Sequence, residues 1–259
     1  MEKGIGIAGI AGRMGTLLAE EVRAAGATLV GGIDRPDATV AGGGLFPDIA
    51  ALAAAAAVVM DFTHASTVQA HARALAQAGT AWVLGTTGLS AEDQAAVAEA
   101  ATRIAVVQAP NFSPGVNLVL ALAERMAAAL PAGQYDAEIV EMHHRQKVDA
   151  PSGTALGLGH AVARGRGVAL EAVKESGRDG HCGARRTGGI GFAALRGGQV
   201  VGEHTLLFAA ANEHISITHR AFDRRVFATG AVRAALWTHG RPPGLYSMMD
   251  VLGMAPPRG

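Results

Sequence analysis

The 259-residue sequence predicts an α/β protein with two domains: an N-terminal Rossmann-type, doubly wound parallel sheet, and a second α+β domain built on an open mixed or antiparallel sheet. Three observations support this prediction. Short apolar runs alternate with helix-forming stretches as far as Pro110, which is typical of a parallel sheet. A glycine-rich segment directly follows the first apolar run. After Pro110, strand-like segments follow one another with few helices between them.

The first part of the chain contains five short apolar runs, each followed by a turn signal or a helical pattern. Strands are predicted at residues 4–8, 28–33, 57–62, 81–84 and 104–108, and helices at 15–25, 67–78 and 91–101. The connections are too short for antiparallel pairing alone, so the strands are expected to lie parallel with helices on both faces.

The second part begins with a helix at 116–129, which Pro131 stops, and a strand at 137–142. A helix at 155–163 precedes three strands at 190–195, 200–208 and 214–219, and a last helix covers 225–237. Glycines 197 and 198 predict a hairpin between the first two of these three strands. We therefore expect residues 113–222 to form the second domain and residues 1–112 with 223–259 to form the first.

Composition excludes several classes of protein. The 22 basic and 22 acidic residues cancel, so no broad electrostatic surface for nucleic acid or an anionic membrane is expected. The longest apolar block, residues 49–60, is shorter than the roughly 20 residues that span a bilayer. The single cysteine, Cys182, cannot form an internal disulfide, and the N-terminus lacks an export pattern. We expect a cytoplasmic protein.

The glycine-rich segment between the first strand and the first helix predicts a dinucleotide site. It places Gly9, Gly12 and Gly15 three residues apart, so that the backbone can turn tightly and a pyrophosphate can approach the helix N-terminus. The expected cofactor is NADH, NADPH or both. The pattern is weak alone, but its position after the first strand strengthens it.

Asp34 and Arg35 end the second strand, where the adenosine ribose of a dinucleotide is usually recognised. A carboxylate there accepts the ribose hydroxyls of NADH, whereas a guanidinium can pair with the 2′-phosphate of NADPH. The two side chains together suggest that both cofactors are used.

Two loops follow the fourth and fifth strands, at the sheet edge where ligands of such folds bind. They consist of Gly85, Thr86, Thr87 and Gly88 in the first loop, and Ala109, Pro110, Asn111 and Phe112 in the second. Their backbone groups and hydroxyls could contact a nicotinamide ribose and carboxamide.

The segment 138–154 concentrates proton-transferring and anion-binding groups. If its strand runs through His143, the alternation of side chains sends His143 and His144 to opposite faces. Lys147 is one of only three lysines beside nineteen arginines, so it is a candidate for donating a proton or holding an anion. The run Ser152–Gly153–Thr154 opens a helical stretch and offers amides and hydroxyls to a carboxylate. No metal site is expected, because adjacent histidines lack a suitable third ligand nearby.

Several segments together resemble the dihydrodipicolinate reductase family (4-hydroxy-tetrahydrodipicolinate reductases) of bacterial lysine and diaminopimelate synthesis. They are E-I-V-E-M-H-H-R-Q-K-V-D-A-P-S-G-T-A from residue 138, G-R-M-G at 12–15, D-F-T at 61–63, G-T-T-G at 85–88, N-F-S-P-G-V-N at 111–117, I-G-F-A at 190–193, V-G-E-H-T at 201–205 and I-T-H-R-A at 217–221. The resemblance covers nearly the whole chain, and the His-His segment is its most specific part.

The resemblance implies a role for each matching residue. His143 would be the acid/base residue and Lys147 the proton donor. The substrate's carboxylates would be held by His144, Ser152, Gly153 and Thr154. The pyrophosphate of the cofactor would be held by Gly9, Ile10, Ala11, Gly12, Arg13 and Met14. Asp34 would bind the ribose, and Arg35 the NADPH phosphate. The nicotinamide end would be contacted by Gly85, Thr86, Thr87, Ala109, Pro110, Asn111 and Phe112. The family typically forms a homotetramer through the sheet of the second domain.

We therefore expect NAD(P)H-dependent reduction of a cyclic imine dicarboxylate, 4-hydroxy-tetrahydrodipicolinate, to tetrahydrodipicolinate. Hydride would come from the nicotinamide and the proton from Lys147 or His143. A second hypothesis is another two-domain dehydrogenase, although many of those acting on sugars carry Glu-Lys-Pro where this chain has Gly-Thr-Thr-Gly or Ala-Pro-Asn. A third is a dinucleotide-binding regulator, for which the chain lacks a basic DNA-binding pattern.

Overall fold

The computed structural model describes residues 4–35, 38 and 44–255. The chain divides into two compact units, one formed by residues 1–114 with 225–259 and the other by residues 115–224. The second unit is therefore an insertion between two segments of the first.

The first unit is built on a parallel sheet of six strands. They are β1 (Ile5–Ala8), β2 (Leu29–Ile33), β3 (Val58–Asp61), β4 (Ala81–Leu84), β5 (Ala105–Gln108) and β11 (Gly244–Tyr246). Their order across the sheet is β11-β5-β4-β3-β1-β2. The order reverses between β1 and β3, and such a switch point opens a ligand crevice at the carboxyl ends of the strands.

Helices cover both faces of this sheet. They are α1 (Arg13–Ala24), α2 (Ile49–Ala55), α3 (Val68–Ala78), α4 (Ala91–Ala101), α8 (Arg225–Trp237) and α9 (Met248–Val251). On one face α1 and α8 pack over β1 and β3 in a core that includes Leu18, Met60 and Val232. On the other face α2, α3 and α4 pack over the sheet around Trp82. The prediction of a doubly wound parallel sheet is confirmed.

Helix ends in this unit follow from capping residues. At the start of α4, Ser90 Oγ accepts a hydrogen bond from the Asp93 amide at 3.2 Å, while Asp93 accepts one from the Ser90 amide at 3.0 Å. Such a capping box fixes the first turn, and α4 has the predicted bounds. The sequence analysis missed α2, although Asp48 caps it by accepting from the Ala51 amide at 2.8 Å.

The second unit carries a mixed sheet of five strands. They are β6 (Asp136–His143), β7 (Lys174–Ser176), β8 (Ile190–Arg196), β9 (Gly202–Ala209) and β10 (His214–Ala221), in the order β10-β9-β6-β8-β7. Three helices accompany it: α5 (Pro114–Ala129), α6 (Gly153–Gly165) and α7 (Leu170–Val173). The helices cover one face, where Leu158 of α6 packs with Ile139 and Phe208 of the sheet.

The predicted hairpin between the strands around Gly197 and Gly198 is wrong. The central strand β6 lies between β8 and β9, parallel to β8 and antiparallel to β9. Ile139 of β6 is paired with Phe192 on one side and Leu206 on the other. A strand with buried residues on its core face needs partners for its backbone groups on both edges, so β6 takes the central position. The sequence also predicts that the strands at 200–208 and 214–219 are joined by a turn around residues 211 and 212, and this second hairpin, between β9 and β10, is confirmed.

None of the helices in the described part of the chain is both long and apolar enough to cross a membrane.

Candidate active site

The glycine-rich loop after β1 forms a cradle at the N-terminus of α1. Gly9 has a φ of +83°, a conformation that favours glycine. A Cβ on Gly15 would overlap the carbonyl oxygen of Gly9 and lie 2.6 Å from the Cα of Ile10, so only glycine lets α1 approach the loop this closely. Gly12 is the N-cap and provides no side-chain cap. The first amides of α1 are therefore available to an anion such as a pyrophosphate.

Asp34 lies beside this loop. One of its carboxylate oxygens accepts a hydrogen bond from the Ala11 amide at 2.8 Å, and the other accepts one from the Arg35 amide at 2.8 Å. The carboxylate is thus oriented by backbone groups and keeps lone pairs for ribose hydroxyls. The side chain of Arg35 is 84% exposed and lies 4.0 Å from Asp34, so its guanidinium is accessible to a phosphate.

A buried aspartate ties together two loops at the carboxyl edge of the sheet. Asp61 ends β3 and contacts Nδ1 of His71 at 2.7 Å. Its other oxygen accepts from the Thr63 hydroxyl at 2.6 Å, and the Thr63 amide donates to the Thr86 hydroxyl at 3.0 Å. The loop after β3 is therefore joined to the loop after β4. Sequence reasoning missed His71, although a carboxylate at the end of a buried strand requires such a partner.

A cavity of about 570 Å³ lies in the first unit at the ends of β4, β5 and β11. Its lining includes four of the predicted nicotinamide-end residues, namely Thr86, Thr87, Ala109 and Pro110. It also includes residues that the sequence analysis did not assign, among them Gln94, Gln108, Tyr246 and Asp250.

Three further predicted residues of these loops, Gly85, Asn111 and Phe112, do not line this cavity. The side chain of Asn111 accepts a hydrogen bond from the Ser113 amide at 2.8 Å at the start of α5. Phe112 is buried, and its ring lies 5.5 Å from the ring of Phe62. A Cβ on Gly85 would overlap the Phe62 ring. These contacts fix the conformations of the two loops.

In the second unit, β6 carries the acidic and imidazole groups of the site. Its alternation places Glu141 and His143 on the same buried face. Nδ1 of His143 lies 2.6 Å from Glu141 Oε2. Because a carboxylate only accepts, Nδ1 carries the hydrogen and Nε2 is the nitrogen left to exchange protons. A Cβ at Gly202 would lie 3.0 Å from Nε2, so this glycine keeps space beside it.

Glu141 accepts three hydrogen bonds besides its contact with His143. Arg196 donates from Nη1 to Oε2 and from Nη2 to Oε1, each at 2.8 Å, and the Ser152 amide donates to Oε1 at 3.1 Å. Burial acts to raise the pKa of Glu141, but the hydrogen bonds from Arg196, His143 and Ser152 outweigh it and lower the pKa. The carboxylate is therefore ionised at neutral pH. Neither Glu141 nor Arg196 was predicted as a site residue.

Burial lowers the pKa of His143, and the neighbouring Glu141 offsets part of that effect. The positive charges of Lys147 and Arg196 lower it further. His143 is therefore mostly neutral at pH 7, but a negatively charged substrate nearby would favour its protonation.

Lys147 lies in the turn after β6, where its amide donates to the His144 carbonyl at 3.1 Å. Its Nζ lies 2.8 Å from Asp149, and the hydrogen bond from Lys147 lowers the pKa of that carboxyl. Arg196 Nη2 donates to the Asp149 carbonyl at 2.6 Å. The turn is thereby fixed to β8. His144 follows β6 directly, and its buried Nδ1 has no partner among the described residues.

The N-terminus of α6 lies next to these groups. Ser152 is its N-cap, and its hydroxyl contacts both the Ala155 amide, at 3.2 Å, and Nε2 of His204, at 3.0 Å. The hydroxyl is thus already engaged, whereas Gly153 borders open space. A helix N-terminus that begins at Gly153, beside open space, is a place where an anion could bind.

His204 is a member of this cluster that sequence reasoning missed. Its ring lies 5.0 Å from that of His143, and the side chain is only 5% exposed. Burial lowers its pKa to about 4, and the charge of His143 contributes in the same direction. His204 therefore stays neutral at physiological pH. The only sequence signal was its place in the V-G-E-H-T segment.

This depressed pKa predicts a loss of stability in acid. Between pH 6.5 and 4 the unfolded chain binds a proton at His204 that the folded protein does not, so the free energy of unfolding falls as pH falls. A folded pKa of about 4 corresponds to about 3 kcal/mol at the acid end. Urea unfolding between pH 7 and 4.5 should show a smaller loss for His204→Gln than for the wild type. The same substitution at the exposed His160 provides the control. If the free energy of unfolding fell with pH as steeply in His204→Gln as in the wild type, the prediction would be contradicted.

Comparison with known proteins extends over both units. The sequence profile of "Dihydrodipicolinate reductase, N-terminus" matches residues 3–112, and that of "Dihydrodipicolinate reductase, C-terminus" matches residues 115–252. A relative from Granulibacter bethesdensis, named 4-hydroxy-tetrahydrodipicolinate reductase, is 70% identical over 253 residues, covering 96% of this chain and 97% of the relative. One of the same name from Acidiphilium cryptum is 64% identical, with the same coverage.

Solved structures show the same fold. A dipicolinate-bound dihydrodipicolinate reductase from Paenisporosarcina sp. TG-14 superposes with a TM-score of 0.79 at 24% identity, covering 96% of this chain and 99% of the other. GenD2 from gentamicin A biosynthesis, solved in complex with NAD, has a TM-score of 0.54 at 17% identity, covering 98% of this chain and 91% of the other. The resemblance predicted from the sequence is confirmed: the chain belongs to the dihydrodipicolinate reductase family of oxidoreductases.

Proposed function

We propose that this protein reduces 4-hydroxy-tetrahydrodipicolinate to tetrahydrodipicolinate with a nicotinamide cofactor, in lysine and diaminopimelate biosynthesis. The observation that carries the proposal is the cluster in residues 115–224, where a buried histidine, a lysine and a helix N-terminus occur together. The family match along both units supports the same reaction. The other dehydrogenase activities considered above have no comparable support.

The reaction takes up one hydride and one proton and releases one water. The nicotinamide, when bound, supplies the hydride to a ring carbon of the substrate. His143 and Lys147 are the two groups of this chain that supply the proton: His143 through Nε2, because Nδ1 is engaged by Glu141, and Lys147 through Nζ. Orientation matters as much as acidity, since hydride transfer requires near-contact geometry.

The substrate is a dicarboxylate, and the second unit offers groups suited to it. The N-terminus of α6 presents the amides of Gly153 and Thr154, where the helix dipole favours an anion. Ser152 holds this end in place through its contacts with Glu141 and His204. His144 provides a further donor. We assign these four residues to carboxylate binding.

The first unit fits a dinucleotide. A Cβ could not be accommodated at Gly15, and no side chain caps the first amides of α1, which suits the binding of a pyrophosphate there. Asp34 is oriented for ribose hydroxyls. We assign the remaining cofactor contacts to Gly9, Ile10, Ala11, Gly12, Arg13 and Met14 at the pyrophosphate, and to Gly85, Thr86, Thr87, Ala109, Pro110, Asn111 and Phe112 at the nicotinamide end.

We further propose that both NADH and NADPH are used, with Arg35 contacting the 2′-phosphate. Replacing Arg35 by alanine is expected to raise KM for NADPH about tenfold, as loss of an exposed charge-assisted hydrogen bond would. KM for NADH should change by less than about twofold. Initial rates with each cofactor measure both constants. Arg73→Ala, on the exposed side of α3, is the matched control, and an unchanged NADPH constant in Arg35→Ala would refute the assignment.

The two units divide the work in this proposal. Residues 1–112 with 223–259 bind the dinucleotide, and residues 113–222 bind the substrate and form the contacts of a homotetramer. The face of the second sheet that the helices leave uncovered supports assembly through this sheet. Val140 of β6 and Leu195 of β8 are exposed apolar residues on that same face. Sedimentation equilibrium of the full chain measures the assembly.

Other properties follow from the proposed reaction. The partner is a small molecule, and neither nucleic acid, nor a membrane, nor a metal has a role in the step described. Among the described residues, no group of three or more His, Cys, Asp or Glu is arranged to hold a metal ion. We assign the protein to the cytoplasm, where a free, exposed Cys182 stays reduced.

A coupled assay tests the function. Dihydrodipicolinate synthase would generate the unstable substrate from pyruvate and aspartate semialdehyde, and the oxidation of NADH and of NADPH would be followed separately. Oxidation that depends on this protein is the expected result. Absence of oxidation with either cofactor, although dinucleotide binds, would overturn the proposal.

A further inference from the structure

We propose that Glu141, clamped by Arg196, is a positioning residue that fixes the tautomer and orientation of His143 and, with the same carboxylate, the N-terminus of α6. The inference rests on the proposed reductase reaction. It assigns a role to an ion pair, between buried Glu141 and partly buried Arg196, that touches neither cofactor nor substrate in the proposal above.

The geometry around His143 supports the first part. Glu141 Oε2 lies 2.6 Å from Nδ1 and also accepts from Arg196 Nη1 at 2.8 Å. Both oxygens of the carboxylate are occupied by the fork of Arg196, so the carboxylate cannot rotate away from the ring. A histidine held in this way keeps its hydrogen on Nδ1 and presents Nε2, the nitrogen beside Gly202.

The same pair reaches the rest of the site. Glu141 Oε1 accepts from the Ser152 amide at 3.1 Å, which holds the N-cap of α6 against β6. Arg196 Nη2 donates to the Asp149 carbonyl at 2.6 Å, and Asp149 pairs with Lys147 at 2.8 Å. The ion pair of Glu141 with Arg196 therefore connects the imidazole, the lysine and the helix proposed to bind carboxylates. The three meet correctly only while the pair is intact.

Four charged or titratable groups face His143. They are Glu141 on its own strand, Lys147 in the following turn, Arg196 on β8 and His204 on β9. Only Glu141 favours the protonated imidazole, and the other charges oppose it. Neutralising Glu141 must therefore move the protonation of His143 to lower pH.

Glu141→Gln tests the inference because glutamine keeps the shape but removes the charge. We expect kcat to fall at least tenfold, and the limb of the pH–rate profile that reports His143 to move to lower pH. Glu141→Asp, which keeps the charge, should recover part of kcat. Glu203→Gln neutralises a half-buried carboxylate on the adjacent strand and should leave kcat and the profile unchanged.

A second readout does not depend on turnover. In the free protein, ¹⁵N NMR of the imidazole should show His143 protonated at Nδ1 in the wild type and a shift toward the Nε2-protonated tautomer in Glu141→Gln. If Glu141→Gln does not fold, Arg196→Lys keeps the charge, removes the fork and should show the same loss of tautomer preference.

The outcomes separate the two proposals. Wild-type turnover together with an unchanged kcat, pH profile and tautomer in the variants would overturn the positioning role. No wild-type turnover would overturn the proposed reaction, and the tautomer spectra would still decide whether Glu141 and Arg196 fix His143.

Discussion

Replacement of Lys147 by alanine is expected to lower kcat about 10³-fold in the coupled assay, within the range usual for loss of a positioned acid. Lys147 is only 20% exposed and lies in the turn that follows the imidazole. Lys147→Arg should recover little activity, because a guanidinium keeps its proton at any working pH. Arg145→Ala, two residues away on an exposed part of the same turn, should change kcat by less than about threefold.

The loss of kcat in Lys147→Ala should come from the missing proton donor and not from a less stable protein. Its partner Asp149 is 55% exposed, and exposed ion pairs contribute at most about 1 kcal/mol to stability. The urea midpoint should therefore stay close to that of the wild type. Equal losses of kcat in Lys147→Ala and Arg145→Ala would remove Lys147 from the proposed proton donors.

Gly15→Ala is expected to destabilise the first unit by about 3 kcal/mol and to abolish measurable dinucleotide binding. The added methyl would overlap the Gly9 carbonyl oxygen and crowd Ile10. Helix α1 must therefore move away from the glycine-rich loop, and the amides proposed to bind the pyrophosphate move with it. Urea unfolding gives the first effect, and fluorescence titration with NADH gives the second.

The matched control is the same substitution in another helix. A methyl at Gly157 of α6 would meet only the Leu120 side chain, at an ordinary 3.4 Å. Because alanine is the better helix former, Gly157→Ala should be neutral or stabilising by up to about 1 kcal/mol. If Gly15→Ala bound NADH and unfolded like Gly157→Ala, the close approach of α1 would not be what requires glycine.

Local patterns predicted much of the first unit. The bounds of α4 and β4 agree with prediction because the capping box at Ser90 and a short apolar run between polar turns are both local signals. The prediction for the five-residue connection between β8 and β9 was wrong because it used local signals alone. Its glycines permit a hairpin, but the choice of neighbour depended on β6, which lies far away in sequence. The three-residue β11 offered too little pattern to predict a strand.

The residues of the candidate site were likewise predictable only where they lie close together in sequence. His143, Lys147 and Ser152 lie within ten residues of one another, so a single segment could suggest that they act together. Arg196 and His204 reach that segment only through the pairing of β6 with β8 and β9. Apart from the V-G-E-H-T segment that contains His204, the sequence near these two residues indicates neither an ion pair nor a buried imidazole. The contact between Asp61 and His71 could not be predicted from the sequence either, because it depends on how α3 packs against the sheet.

The insertion of residues 115–224 into the first unit has a consequence for synthesis on the ribosome. The helix α8 and the strand β11, which complete the first sheet and one of its two cores, emerge only after the whole inserted unit has been made. Until then Ile7 and Met60 lack the cover of Ala231 and Val232. The inserted unit is continuous in sequence and can fold first, whereas the nascent first unit exposes an apolar sheet face. Chains that terminate early, after residue 224, should therefore aggregate and be degraded.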